Sequence, residues 1–252
     1  FETALLKEPS QLRYQALAWL ALVRIAANDL RMAVTQALEA VRLAPESALA
    51  AGSLALAYFH SGDADAAVAE ARRAIRLDPD SAVARTVLGQ TLLAQGDVDG
   101  AAHSGGQAVA LDPTLPQARY LLGIADAQRR DYSHAIRELR DCLRLAPDYL
   151  PAAAALGRVY TAVGRKGEAL SLLTDLLSRH PSDDGALAAL GNIYYVQGRY
   201  ADAERQYRNA IASRPDSALH HADLARIMID GNRLDEAISE AQHAVLLSPT
   251  VG

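Results

Sequence analysis

Apolar residues recur along this chain with two periods at once, one of three to four residues and one of 34. The short period is plain over residues 184–197. There Leu187, Leu190, Tyr194 and Tyr195 fall on one face of a helix with about 3.6 residues per turn. Gly198 interrupts the pattern, a second helical stretch covers residues 200–213, and Pro215 stops it. The long period copies this hairpin along the chain. Pro45, Pro79, Pro113, Pro147, Pro181, Pro215 and Pro249 are spaced evenly, and so are Leu20, Leu54, Leu88, Leu122, Leu156, Leu190 and Leu224. After each of these leucines stands a small residue, Ala21, Ala55, Gly89, Gly123, Gly157, Gly191 or Ala225, and an alanine column runs from Ala33 to Ala237.

These columns predict paired helices. Gly62, Gly96, Gly164 and Gly198, with Asn28 and Asn232, stand where each first helix ends, and both residue types tolerate a left-handed backbone. Polar turns such as Asp80-Ser81 and Asp216-Ser217 suit the start of the next helix. Gly191 is expected to face Ala203, which would let the two helices approach closely. A lone hairpin cannot bury its apolar face, so stacking on its neighbours must supply the core.

The run Leu190-Gly191-Asn192-Ile193-Tyr194, with Gly198, Ala203, Tyr207, Ala210 and Pro215, resembles the tetratricopeptide repeat family. The resemblance covers Tyr14 to Val251 and implies an all-α fold, a right-handed solenoid superhelix of antiparallel helix pairs. The seven units are read as residues 14–47, 48–81, 82–115, 116–149, 150–183, 184–217 and 218–251. Phe1, Ala4 and Pro9 match the columns of Tyr207, Ala210 and Pro215. Residues 1–13 therefore read as the second-helix tail of a truncated repeat plus a linker, giving fifteen helices in all. The array is expected to continue past both ends of the sequence, and the stripe Ala237, Ile238, Ala241, Ala244 and Val245 to favour self-association through exposed end repeats.

In the resembled family the first helices line a concave face that receives an extended peptide or a partner helix. By column, the lining here includes Leu56, Gln90, Ile124, Arg158, Asn192 and Arg226, and, three residues on, Phe59, Leu93 and Tyr195. Tyr120 and His60 lie beside them. The earlier units offer apolar side chains. The later ones offer Arg158, Asn192 and Arg226, able to bind carboxylates and peptide groups. The lysines of the family's carboxylate clamp are missing.

Composition narrows the chemistry. Hydrophobic residues make up 50% but aromatics only 5%, so the core is built from Ala, Leu and Val, which suits close helix packing. The net charge of -5 gives no general attraction to nucleic acid, and no apolar run is long enough to insert into a membrane. Cys142 is the only cysteine and replaces Ala in a small-residue column, so it reads as a packed thiol. No catalytic motif or cofactor fingerprint is present; His220 and His221, with Asp223, match no common metal spacing, and the histidines read as surface residues. Gly105 and Gly106 read as a weak or bent helix, and Asp126 as the partner of Arg130.

The reading is therefore a protein-binding scaffold, not an enzyme, with a protein or peptide partner and no cofactor. The alternatives are a recruiting region of a larger glycosyltransferase- or sulfotransferase-like enzyme, and a self-assembly module. A soluble protein of the bacterial cytoplasm or periplasm is compatible with this sequence, which specifies neither.

Overall fold

The computed structural model describes residues 8–247, with side chains from residue 12 onward. The described residues form fourteen α-helices and no strand. They divide into two compact units, one up to Asp131 and one from Tyr132 onward. The first unit holds α1 (Glu8–Ala26), α2 (Leu30–Leu43), α3 (Ala48–Ser61), α4 (Ala64–Leu77), α5 (Ala82–Ala94), α6 (Val98–Leu111) and α7 (Pro116–Gln128). The second holds α8 (Tyr132–Leu145), α9 (Leu150–Ala162), α10 (Lys166–Arg179), α11 (Asp184–Val196), α12 (Tyr200–Ser213), α13 (Ala218–Asp230) and α14 (Leu234–Leu247). Within each unit the helices pack as consecutive hairpins, and α1 with α3, α3 with α5, α5 with α7 and α9 with α11 also touch.

Helix boundaries follow the repeat. In the first unit the side chains of Asp29, Ser47, Asp63, Ser81 and Asp97 accept hydrogen bonds from backbone N–H groups of the turn that follows. Asp183 does the same in the second, from Ala186 at 2.7 Å, whereas Ser217 makes no such bond. The position held by Asp29, Asp63 and Asp97 becomes Arg165, Arg199 and Arg233 in the second unit. Each of these arginines binds the carboxylate three residues on, Glu168, Asp202 or Glu236, instead of the helix N–H groups.

Every first helix from α1 to α13 leaves through one left-handed residue: Asn28, Gly62, Gly96, Arg130, Gly164, Gly198 or Asn232, with φ between 56° and 87°. Arg130 is the member that sequence reasoning missed. Because it occupies this turn, Asp126 pairs with Arg129, at 3.7 Å, and not with Arg130 as expected. The expected break at Pro9 is absent too. Residues 8–13, read as tail and linker, are part of α1, where Pro9 sits in the first turn and its missing N–H costs nothing. Phe1 and Ala4 lie outside the described residues.

The core is alanine-rich and built from local clusters. Ala21, Ala33, Ala37, Leu54 and Ala57 form one; Ala101, Ala102, Leu121, Leu122 and Ala125 another; and Leu187, Ala203, Tyr207, Leu224, Ile227 and Met228 a third. Leu54, Leu88, Leu122 and Leu224 of the long-period column thus pack on the preceding repeat. Leu20, of the same column, is exposed at 40%.

The nearest side chain to Gly191 is Tyr207. A Cβ built there would meet the Tyr207 ring at 3.1 Å, and one on Gly157 would meet Leu173 at 2.9 Å. Gly105 proves to be a close-approach point in an unbroken α6, since a Cβ there would lie 3.3 Å from the backbone of Leu122 in α7. Cys142 is fully buried, as a packed thiol should be.

The left-handed column predicts opposite signs for two substitutions. A non-glycine residue in this conformation costs about 1–2 kcal/mol. Arg130→Gly should therefore raise stability by about 1 kcal/mol and Gly164→Ala lower it by a similar amount. Urea unfolding of the two variants beside the parent checks both signs.

Candidate functional site

The candidate residues fall into the two units without remainder. Leu56, Phe59, His60, Gln90, Leu93, Tyr120 and Ile124 belong to α3, α5 and α7 of the first, and Arg158, Asn192, Tyr195 and Arg226 to α9, α11 and α13 of the second.

In the first unit the apolar members are half-buried, and part of each is already used. Leu56 packs on the cluster of Ala55, Ala71 and Val87, and Leu93 on that of Ala101 and Leu122. Phe59 is half-buried and meets the exposed His60 ring edge-on, with centroids 5.2 Å apart. Partial desolvation lowers the pKa of His60, so at neutral pH it offers a hydrogen-bonding imidazole and not a cation. Gln90, Tyr120 and Ile124 are half-buried as well.

The second unit presents a polar seam. Arg226 lies over the Tyr195 ring, 4.6 Å from its centroid, pairs with Asp223 at 3.1 Å and donates to the Tyr207 hydroxyl at 3.5 Å. The Tyr195 hydroxyl donates to Asp230 at 2.7 Å, and this bond is the main reason its pKa is raised. Tyr207 is fully buried, and desolvation drives its phenol far above the ordinary range. Desolvation also raises the pKa of Asp223, opposed by the charges of Arg226, His220 and Arg158. Arg158 is exposed and Asn192 half-buried. Arg226 therefore has a carboxylate of its own, a feature the sequence reading did not contain.

The histidines depart from expectation. His220 is not on the surface but 4% exposed, and its Nε2 lies 2.8 Å from Asp184, which also pairs with Arg214 at 3.3 Å. His221 is half-buried and turns the other way, toward Glu240. His220, His221 and Asp223 thus do not converge. The signal for His220 was present in the sequence. Ala50, Ala84, Ala118, Ala152 and Ala186 fill its column in the preceding repeats, and Asp184 breaks its own column in the repeat before.

All of this describes an all-α helical-repeat protein. A tetratricopeptide repeat profile matches residues 20–82, 154–207 and 188–250, and a second profile of the same description matches 58–123. The chain belongs to the tetratricopeptide repeat family. No curated protein matches by sequence. Among solved structures, a chain of the APC/C hetero-tetramer Cut9–Hcn1 superimposes with a TM-score of 0.76 at 18% identity, over 88% of this chain and 44% of that one. This chain therefore spans less than half of that relative. A tetratricopeptide repeat protein from Parabacteroides merdae gives 0.74 at 15% identity, over 95% of both chains. YrrB, described as a TPR protein with an unusual peptide-binding site, gives 0.54 at 20% identity, over 73% of this chain and 95% of that one. These likenesses are of fold. No helix among the described residues is long and apolar enough to cross a membrane.

The Asp184–His220 pair yields a thermodynamic test. Asp184→Ala strands a buried imidazole and should cost about 1–3 kcal/mol. His220→Ala restores the alanine column and leaves Asp184 with Arg214, so it should cost less. A double-mutant cycle in urea should show a coupling above about 0.5 kcal/mol; strict additivity would mean that the pair is not formed.

Proposed function

We propose that this chain is a protein-interaction scaffold that holds an extended peptide or partner segment along its first helices. The first unit would take apolar groups of a ligand, and the second polar or acidic ones. The carrying observation is the division of lining residues. Leu56, Phe59, Leu93, Tyr120 and Ile124 are half-buried on one unit, while Arg158, Asn192 and Arg226 lie on the other. A half-buried apolar side chain still has surface to lose to a ligand, and an Asn amide can both donate to and accept from a peptide group. Membership of the family, and the peptide-binding site that the YrrB description names, support a binding role.

The internal pairing of Arg226 bears on the acidic groups. A ligand carboxylate must compete with Asp223 there, whereas Arg158 is exposed. Arg158 is thus the better anchor for an acidic group.

Once a partner is captured by pull-down with the whole chain, calorimetry should rank the variants. Asn192→Ala should weaken binding by about 1–3 kcal/mol, through peptide groups left unpaired. Phe59→Ala should weaken it with little dependence on salt. Arg158→Ala and Arg226→Ala should matter less at high ionic strength, where exposed charge is screened. Arg72→Ala, an exposed change on α4, should have no effect. Equal affinity for the Phe59, Asn192 and Arg158 variants would place the partner elsewhere.

Self-association is a second reading with one observation behind it. On α14, Ile238, Val245 and Leu246 are exposed at 55%, 71% and 75%. If copies meet through this face, sedimentation velocity should show concentration-dependent association that Val245→Lys abolishes. A strict monomer over a wide concentration range would end this reading.

A further inference from the structure

We infer that His221, Glu240 and His243 form a binding site for a divalent transition-metal ion of the zinc type, clamping α13 to α14. The three side chains come from two helices of one hairpin, and their nearest ligand atoms all lie within 4.8 Å of one another. Glu240 and His243 are three residues apart on α14, which puts them on the same face of the helix. His221 reaches across from α13.

The hydrogen bonding of His221 carries the argument. Its Nε2 lies 3.1 Å from the carbonyl oxygen of Pro215, which can only accept, so that nitrogen bears the hydrogen. Its Nδ1 lies 2.6 Å from a Glu240 carboxylate oxygen. With that hydrogen on Nε2, Nδ1 is the ring atom turned to Glu240, and at 2.6 Å the two share a proton that a metal ion would displace. Two further features favour the metal. Metal-binding histidines characteristically donate their other ring N–H to a backbone carbonyl or carboxylate, as His221 does to Pro215. A second imidazole, His243, stands with its ring centroid 5.6 Å from that of His221, where an ion pair alone would have no use for it.

The geometry requires little movement. Zinc bonds of about 2.0–2.2 Å to nitrogen and oxygen place tetrahedral ligand atoms about 3.4 Å apart. The widest separation in the trio must therefore close by roughly an ångström. His243 is exposed and can turn inward, while the half-buried His221 and Glu240, now 2.6 Å apart, must part by about 0.8 Å to reach that spacing. Imidazole and carboxylate donors suit zinc and its neighbours better than calcium or magnesium, which take oxygen ligands. Three protein ligands leave a fourth position for water.

The test is titration of the whole chain with zinc chloride at pH 7.5 by calorimetry, with cobalt(II) absorption as a geometric probe. One site per chain is expected, with a tetrahedral cobalt spectrum and a melting temperature that rises with zinc concentration. Glu240→Gln and His243→Ala should each weaken binding at least about tenfold and abolish the thermal shift. His103→Ala, an exposed histidine in the other unit, should change neither. Glu240→Gln keeps the shape of the side chain, so loss of binding there cannot be ascribed to unfolding if circular dichroism matches the parent. Absence of saturable zinc binding, or binding that survives both ligand substitutions, would overturn the inference and leave a proton as the shared cation.

Discussion

One contact recurs in this protein and sets the spacing of its hairpins. The small residue in the middle of a first helix stands against the residue sixteen positions later in the second. In the first two repeats both are alanines, Ala21 with Ala37 and Ala55 with Ala71, sharing core clusters. In two later repeats the first helix contributes glycine and the second a large side chain, Gly157 with Leu173 and Gly191 with Tyr207. The third repeat has glycine at both places, and the space is taken from the next repeat: Leu121 reaches Gly89, and the backbone of Leu122 closes on Gly105. What is held constant is the fit and not the residue. Interiors this dense tolerate exchange of volume between partners much better than a change in its sum.

Because each repeat packs mainly on its neighbours, polar chemistry can enter one repeat without disturbing the rest. The second unit uses that freedom. His220 and Asp223 stand in columns filled by alanine, leucine and other small or apolar residues elsewhere. Burying either alone would carry a desolvation cost of about 1–3 kcal/mol. Each has instead acquired a partner, Asp184 for His220 and Arg226 for Asp223. The exchange of cap aspartates for Arg165, Arg199 and Arg233 follows the same logic. An arginine cannot accept from the helix N–H groups, and a carboxylate one turn inside the helix pairs with it and favours the positive helix terminus.

The period, the helix pairs and most helix ends were legible in the sequence because they are column properties, repeated until chance is excluded. Features confined to one repeat were not. Arg130 was overlooked because its side chain does not announce a left-handed turn, although its place in the column of Asn28 and Gly62 does. Asp126 was assigned the partner at helical spacing, Arg130, and that assignment failed because the helix had already ended there. Asp184 and His220 are 36 residues apart, so neither looks like a partner of the other until the repeats are stacked and both breaks are read together. The trio of His221, Glu240 and His243 is hidden for a similar reason, since its two arms meet only through the hairpin turn.

The same reasoning bears on how a ligand would be read by this chain. Leu56 and Leu93 pack against the core, so their contribution to stability and to any binding cannot be separated by truncation alone. Arg226 is similarly committed: it covers the Tyr195 ring, holds the charge of Asp223 and gives the buried Tyr207 hydroxyl its hydrogen bond. Removing it would expose a buried carboxylate and an unpaired phenol as well as any ligand contact. Arg158 and Asn192 carry fewer such obligations, and Phe59 is half-buried beside the His60 ring. Discrimination between partners would then rest on the less committed side chains, with the committed ones providing a surface whose shape is fixed before anything binds. Such preorganisation reduces the ordering cost that an extended ligand otherwise imposes on its receptor.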